Sequence, residues 1–200
     1  MADPIRHGAL EGRLLAGRHG AVGDAVGMLV EQVQPDAMAQ ISGARDGEAL
    51  AAALGAFGIA GAPLTLRCSD GDRVRVLWNG PGQFLVVSRR HRDAELAAEL
   101  GVALAGAGAV AVDVSHARTV LRVRGPACRD VLAKGCPLDV DAMQPGDCAA
   151  TVVSHFNVLV HCDGADAFEL YASRSLALAF FEWLLHAGME YGVEIGAAAP

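Results

Sequence analysis

A weak internal repeat limits the folds open to this chain more than any other feature of its sequence. Matching residues recur at a constant separation of 84 positions, without a gap. The matched positions are Asn79-Gly80 with Asp163-Gly164, Phe84 with Phe168, Val86 with Leu170, and Arg90 with Arg174. A turn, a strand and the start of a helix therefore recur in register. We interpret the pattern as a duplicated unit of about 80 residues.

Each half of the chain shows the same order of predicted elements. The first half has an extended stretch over 26–41 that breaks near Pro35, a helix over 46–57, strands over 64–68, 74–78 and 84–88, and a helix over 92–105. The second half has an extended stretch over 110–123, a helix after Gly125-Pro126, strands near 149–154, 158–162 and 168–171, and a terminal helix. The pattern predicts an α+β fold of two repeated strand-helix-strands-helix units with mainly antiparallel sheets.

These elements divide the chain into four segments. Residues 1–24 are rich in glycine and show no period, so we predict an N-terminal arm. The first α+β unit is predicted over 25–108 and the second over 109–190, followed by a C-terminal tail over 191–200.

Charge and hydropathy argue against several classes of function. The net charge is -7, and no run of Lys and Arg suits a phosphate backbone, so no nucleic-acid partner is expected. The uncharged stretch 101–112 has twelve residues and the longest one, 49–66, has 18, so neither reaches the roughly 20 residues that span a bilayer, and no signal-peptide pattern begins the chain. The five cysteines are an odd number without a C-x-x-C pair, which suits reduced thiols. We expect a cytoplasmic protein without a membrane contact.

The last predicted helix has no ordinary water-facing stripe. Between Leu176 and Ala187 only Glu182 and His186 are polar. Such a helix needs apolar cover on every side, either in the core of this chain or from another subunit. The residues predicted as interface candidates are Phe180, Phe181 and Trp183.

The sequence offers few arrangements that suit catalysis or metal binding, and it lacks the glycine patterns of nucleotide-binding loops. The nearest metal candidates are His155, His161, Cys162 and Asp163, but six residues of strand separate the two histidines by roughly 20 Å. Cys136 lies in an exposed-looking turn before Pro137, which we interpret as structural rather than nucleophilic. No catalytic, cofactor-binding or metal-binding residue is therefore predicted.

The segment Asp113-Val114-Ser115-His116 combines an acid, a nucleophile and a base, but not in the geometry of a catalytic triad. In a strand, Asp113 and Ser115 share one face while His116 points to the other. We predict that these polar residues bend the strand or bond to backbone at a partly buried corner. Contact of Asp113 or His116 with a ligand stays open, as does a role for Cys136.

Several motifs between residues 60 and 190 are specific enough to compare with known families. The strongest are Asp113-Val114-Ser115-His116, Leu121-Arg122-Val123, Gly125-Pro126 and the run from Arg129 to Asp139, which contains Ala-Lys-Gly-Cys-Pro-Leu-Asp. Others are Pro145-Gly146, Cys148-Ala149, Ala167-Phe168-Glu169-Leu170, Ser173-Arg174-Ser175 and the helix that contains Trp183. Through these motifs, most of residues 60–190 resemble the gamma subunit of heterotetrameric sarcosine oxidase.

The resemblance implies a non-catalytic packing subunit in a complex with alpha, beta and delta subunits. That complex would demethylate sarcosine to glycine and form methylenetetrahydrofolate, using FAD, FMN, NAD and tetrahydrofolate held by the other subunits. A different N-methyl amino acid as substrate stays open, because the substrate would be bound by the beta subunit.

A more distant likeness is to the folate-binding fold of the glycine-cleavage T-protein, an aminomethyltransferase. The Asp-Val-Ser-His element followed by Gly-Pro and a helix carries this likeness. The T-protein has a catalytic aspartate in a Gly-rich strand. At the comparable place this chain has the run Ser154 to Val160, which contains no carboxylate. The departure favours a retained scaffold without the chemistry, and the alternative is a stand-alone folate-binding protein of aminomethyltransferase type.

Overall fold

The computed structural model describes residues 7–13, 16–20, 26–43, 47–61, 66–71 and 74–196. Parts of the predicted arm and tail, the first residue of the helix over 46–57 and the start of the strand over 64–68 lie outside the described residues. Among the described residues, no helix is long and apolar enough to cross a membrane.

The described residues form twelve strands and four α-helices, and the prediction of an α+β fold is confirmed. The strands are β1 (Gly17–His19), β2 (Met28–Val33), β3 (Ala37–Ser42), β4 (Cys68–Asp70), β5 (Val74–Gly80), β6 (Gln83–Ser88), β7 (Val110–Asp113), β8 (Arg118–Arg124), β9 (Cys148–Val153), β10 (Phe156–Gly164), β11 (Ala167–Ser173) and β12 (Val193–Ile195). The helices are α1 (Gly47–Gly55), α2 (Asp93–Ala103), α3 (Cys128–Ala133) and α4 (Ala177–Gly188).

Two sheets contain these strands. The seven-stranded sheet has the order β1-β12-β2-β8-β11-β10-β9, and the five-stranded sheet has the order β4-β5-β6-β3-β7. Among the described pairings all are antiparallel except that between β12 and β2. Strand β1, from the predicted arm, pairs with β12, from the predicted tail.

The repeat is visible in the register of two hairpins. In the β5–β6 hairpin the register shifts between Trp78 and Gly80, and in the β10–β11 hairpin it shifts between Cys162 and Gly164. These bulges occupy positions that the repeat in the sequence makes equivalent. A shared irregularity of this kind indicates that the two halves are copies of one unit, because β-bulges are conserved among related structures.

The two halves exchange strands. The predicted break near Pro35 separates β2 from β3, so that β2 pairs with β8 in one sheet while β3 pairs with β6 in the other. The stretch predicted as continuous over 110–123 is also interrupted, because a turn over 114–117 separates β7 from β8. Strand β7 joins β3 and β8 joins β11. The two halves are therefore interlocked, and the division at residue 108 stays a prediction.

Three apolar clusters produce a layered arrangement of helix, sheet, sheet and helix. One cluster packs α3 and α4 on the seven-stranded sheet, and a second packs α1 and α2 on the five-stranded sheet. The third lies between the sheets and joins Met38, Leu77 and Leu85 to Leu159 and Tyr171. Alternation along each strand explains the pattern, since successive side chains face a helix layer and then the opposite sheet.

Candidate functional site

A polar network lies between the two sheets beside the apolar cluster that joins them. Its centre is Glu169 on β11, which is 3% exposed. Strand register places Glu169 opposite Arg122 of β8 on one side and opposite His161 of β10 on the other. Arg75, on β5 of the five-stranded sheet, reaches across to the same carboxylate. The network therefore links the two sheets through charged side chains.

Both oxygens of the Glu169 carboxylate accept hydrogen bonds from several donors. Arg122 donates to Oε1 at 2.5 Å, while Arg75 and the Tyr171 hydroxyl donate to Oε2 at 3.0 and 2.7 Å. The Nδ1 atom of His161 lies 3.5 Å from Oε2. Burial acts to raise the pKa of Glu169, but hydrogen bonds from His161, Arg122 and Tyr171 outweigh it and hold the pKa well below its usual range.

This geometry keeps Glu169 ionised and gives it a structural role. A general base works best when its pKa is near the operating pH, whereas Glu169 stays ionised and fully engaged. Burial and the neighbouring carboxylate raise the pKa of Tyr171 well above its usual value, so the hydroxyl remains a hydrogen-bond donor. The network can therefore fix the two sheets against each other.

The same network contains the one group of side chains in the described residues with the spacing of metal ligands. Ligand atoms of His161, Asp163 and Glu169 lie within 4.8 Å of one another. However, Nη1 of Arg75 lies 3.5, 3.2 and 3.0 Å from His161, Asp163 and Glu169. The guanidinium therefore stands where a cation would bind, and it supplies the positive charge itself.

The structure separates the other metal candidates of the sequence. His155 is exposed in the turn before β10, with its ring 4.0 Å from the ring of Phe156. His161 is buried between the sheets, while Cys162 faces the helix side and belongs to the cluster under α3 and α4. Sequence reasoning missed Glu169. The available signal was the turn at Asp163-Gly164, since a hairpin there places residues 161 and 169 opposite each other.

A cleft of about 330 Å³ opens between the sheets beside this network. Arg89 and Arg90 line it together with Arg75 and Arg122. Both are exposed at the end of β6. The adjacent His91 is instead buried, with Nδ1 2.8 Å from the hydroxyl of Ser88.

The Asp113-Val114-Ser115-His116 segment forms the predicted corner. The Ser115 hydroxyl is buried, donates to the Asp113 carboxylate at 2.6 Å and accepts the Met38 amide at 2.9 Å. These bonds hold the crossing from β7 to β8 against strand β3. His116 is exposed. The expectation that this segment bonds to backbone is confirmed, and Asp113 and Ser115 together hold the segment against β3.

The run from Arg129 to Asp139 is a tightly held loop and helix. The Arg129 guanidinium donates to the carbonyl oxygens of Ala165 at 2.7 Å and Met143 at 3.2 Å, and also to that of Val140. It thereby joins α3, the loop before β9 and the β10–β11 turn. Lys134 donates to the carbonyl of Ala187 at 2.5 Å and so ties the end of α3 to α4.

The expected exposure of Cys136 is wrong, because the side chain is buried at 7% exposure. Its amide donates to the Leu132 carbonyl at 2.8 Å, which continues the turn of α3 and directs the side chain into the core. Burial also raises the pKa values of Cys128 and Cys148 to about 11. These two thiols stay protonated at neutral pH, and a thiol is a far weaker nucleophile than a thiolate.

The three predicted interface residues differ in their surroundings. Phe180 and Phe181 are 0% and 4% exposed and belong to the core between α4 and the seven-stranded sheet. Trp183 is only partly buried and stacks on Phe180, with ring centroids 6.3 Å apart. Its indole also covers Gly135, where a Cβ atom would come within 2.5 Å of Cζ2. A role of these residues in an interface stays a prediction.

Comparison with solved structures identifies the class of fold. The structure of glycine cleavage system aminomethyltransferase T from Bartonella henselae superposes with a TM-score of 0.62 at 16% identity, over 86% of this chain and 48% of that chain. At this identity the likeness shows the fold alone, which is the predicted folate-binding fold of the T-protein. A chain of heterotetrameric sarcosine oxidase from Corynebacterium sp. U-96 superposes with a TM-score of 0.74 at 25% identity, over 86% of this chain and 88% of that chain.

Sequence comparison then places the chain in a family. The model of the family described as sarcosine oxidase, gamma subunit, matches residues 42–190. The protein named sarcosine oxidase subunit gamma from Corynebacterium sp. (strain P-1) is 35% identical over 121 residues, which are 60% of this chain and 59% of that relative. Its namesake from Arthrobacter sp. is 32% identical over 155 residues, 76% of this chain and 73% of that relative. The chain belongs to the sarcosine oxidase gamma subunit family.

Proposed function

We propose that this chain is the gamma subunit of a heterotetrameric sarcosine oxidase, in which it packs against the alpha, beta and delta subunits and carries no catalytic centre. The match of the gamma-subunit family over residues 42–190 carries the proposal. The complex would oxidatively demethylate sarcosine to glycine and form methylenetetrahydrofolate. FAD, FMN, NAD and tetrahydrofolate would be bound by the other subunits.

The chemistry of the described residues supports a packing role. The buried carboxylate of Glu169 is held ionised by Arg75 and Arg122. The thiols of Cys128 and Cys148 are held protonated by burial. Groups that are locked in one protonation state stabilise a scaffold, whereas acid–base and nucleophilic catalysis need groups that change state.

A stand-alone folate-binding protein has less support. Its only positive argument is the likeness to aminomethyltransferase T, which at 16% identity shows the fold alone. Calorimetric titration of the isolated chain with tetrahydrofolate separates the two possibilities. The proposed function predicts no binding heat at a ligand concentration that saturates an aminomethyltransferase measured in parallel.

The direct test is co-expression of the tagged chain with the alpha, beta and delta homologues from the same source. Purification through the tag on this chain is expected to yield a yellow complex of four polypeptides with a flavin absorbance spectrum. A chain that purifies alone and colourless, while the other three subunits assemble without it, would contradict the proposed function.

A further inference from the structure

A second polar region lies on the inner face of the seven-stranded sheet, at the opposite end of β8 from the Glu169 network. Arg118 begins this strand, and Ser173 of β11 stands directly opposite it. In front of Arg118 is an open cavity of about 430 Å³, bordered by the neutral polar residues Asn79 and Asn157.

The charge of Arg118 is not balanced within the described part of the chain. Arg75, Arg122 and Arg124 each form an ion pair there, but no described carboxylate lies within 4.0 Å of the Arg118 guanidinium. Arg174 lines the narrow gap next to Arg118 and adds a second positive charge. Burial lowers the pKa of Arg118, which is the effect of a guanidinium that loses water without gaining a counter-ion.

This environment suits a carboxylate. A guanidinium offers parallel N–H donors that match the two oxygens of a carboxylate, and such pairs are among the stronger hydrogen bonds in proteins. The amide group of Asn157 and the hydroxyl group of Ser173 can add hydrogen bonds without repelling an anion. A carboxylate placed there would neutralise the one described inner-face arginine of β8 that lacks a counter-charge.

The openness of the cavity favours a side chain from another protein over a small molecule. Asn157 and Ser173 are exposed, and Val152 on the outermost strand β9 is 40% exposed. Sites for small ligands usually enclose 70–90% of the ligand surface, whereas this cavity is open on its exposed side. An arginine bordered by polar groups and an exposed valine instead resembles the composition of a protein interface, where arginine is enriched.

We propose that this cavity receives an Asp or Glu side chain from another subunit of the complex, and that Arg118 binds it. The inference rests on the proposed function and adds to it the surface used and the chemistry of the partner. Strand β9 and the ends of β8, β10 and β11 would then lie in the subunit interface.

The test compares the affinity of wild type and Arg118→Gln for the purified complex of the other three subunits, by biolayer interferometry with the tagged chain immobilised. Loss of a desolvated charge pair is expected to weaken binding at least ~10-fold. The melting temperature of the isolated variant is expected to be equal to or higher than that of wild type, because an unbalanced charge has been removed.

Arg124→Gln is the matched control, since it removes the same charge from the same strand. Arg124 is paired with Glu31 at 3.3 Å inside the chain, so its loss is expected to change the affinity by less than ~2-fold. Equal effects of the two substitutions, or no effect of either, would overturn the proposal while leaving the subunit assignment intact. Failure of the wild-type chain to bind would overturn both.

Binding of a small free carboxylate, instead of a side chain from another subunit, would give a different pattern of melting temperatures and affinities. Acetate would then raise the melting temperature of the isolated wild-type chain and not that of Arg118→Gln, while the affinity for the other subunits stayed the same in both. That result would also overturn the proposal. Retained thermal stability together with weakened assembly is the combination that supports it.

Discussion

Replacement of Glu169 by Gln tests the view that a buried ion network joins the two sheets. The substitution keeps the size of the side chain but removes the negative charge that Arg122 and Arg75 share. Arg122 is 14% exposed and Arg75 is 28% exposed, so neither guanidinium can recover full hydration when the carboxylate is lost. Arg122 would then be a largely buried cation without a carboxylate partner among the described residues, whereas Arg75 would keep its ion pairs with Asp70 and Asp163.

The expected cost follows from the loss of one member of a buried ion pair. Such a loss typically destabilises a protein by about 3–5 kcal/mol, because the remaining charge stays buried without compensation. For a chain of this size the change corresponds to a fall in melting temperature of about 6–20 °C. Urea unfolding at pH 7 followed by circular dichroism gives the free energy, and differential scanning calorimetry gives the melting temperature.

Asp163→Asn is the matched control. Asp163 accepts a hydrogen bond from the same Arg75 at 3.2 Å, but Arg75 keeps its hydrogen bonds to Asp70 and Glu169 when this contact is lost. We expect a loss of less than about 1 kcal/mol. If Glu169→Gln costs no more than Asp163→Asn, the network does not stabilise the fold and the reasoning is refuted.

The pH dependence supplies an independent check on Glu169. Its pKa is lower in the folded chain than the value of about 4.3 expected when unfolded. The stabilisation is therefore complete above the unfolded-state pKa and is lost as the pH falls towards the folded-state pKa. Between about pH 5 and pH 3, wild type is expected to lose more unfolding free energy than Glu169→Gln, as measured by urea titrations in parallel.

Four further substitutions test other parts of the structure. Ser115→Ala leaves the buried Met38 amide without its side-chain acceptor and should cost about 1–3 kcal/mol in urea unfolding. Gly135→Ala should destabilise the fold by about 1–3 kcal/mol, because its Cβ would lie 2.5 Å from the Trp183 indole. Gly101→Ala, in open space on α2, is the control and should stabilise the fold by about 0.5–1 kcal/mol. Equal effects of the two substitutions would contradict the close packing at Gly135. Trp183→Ala should lower the melting temperature of the isolated chain if the indole mainly packs within it, and should mainly weaken subunit binding if it lies in an interface.

Local sequence patterns predicted most of the fold. The turn signals at Asn79-Gly80 and Asp163-Gly164 located the two hairpins, and their constant separation predicted two related units. The pairing of β2 with β8 and of β7 with β3, each across the two halves, was not predicted. Alternation shows which residues face the core but does not show which neighbouring strand they pair with. Only the break at Pro35 gave a local sign that the chain changes sheets.

The polar network was harder to predict for a physical reason. Arg75 and Glu169 lie in different sheets and far apart in sequence, so their contact depends on how the sheets pack. Each reads as an ordinary exposed charge within its own strand. Cys136 shows the opposite error, because its Gly and Pro neighbours indicate a turn but do not show whether the turn faces water or the core.

Native mass spectrometry of the material purified through a tag on this chain, after co-expression with the alpha, beta and delta homologues, tests the proposed assembly most directly. We expect one dominant species whose mass equals one copy of each subunit, and whose partial dissociation releases this chain at 20.6 kDa plus the tag. A spectrum that contains only this chain, or copies of it alone, while the other three subunits form a complex without it, would contradict its assignment as a subunit of that complex.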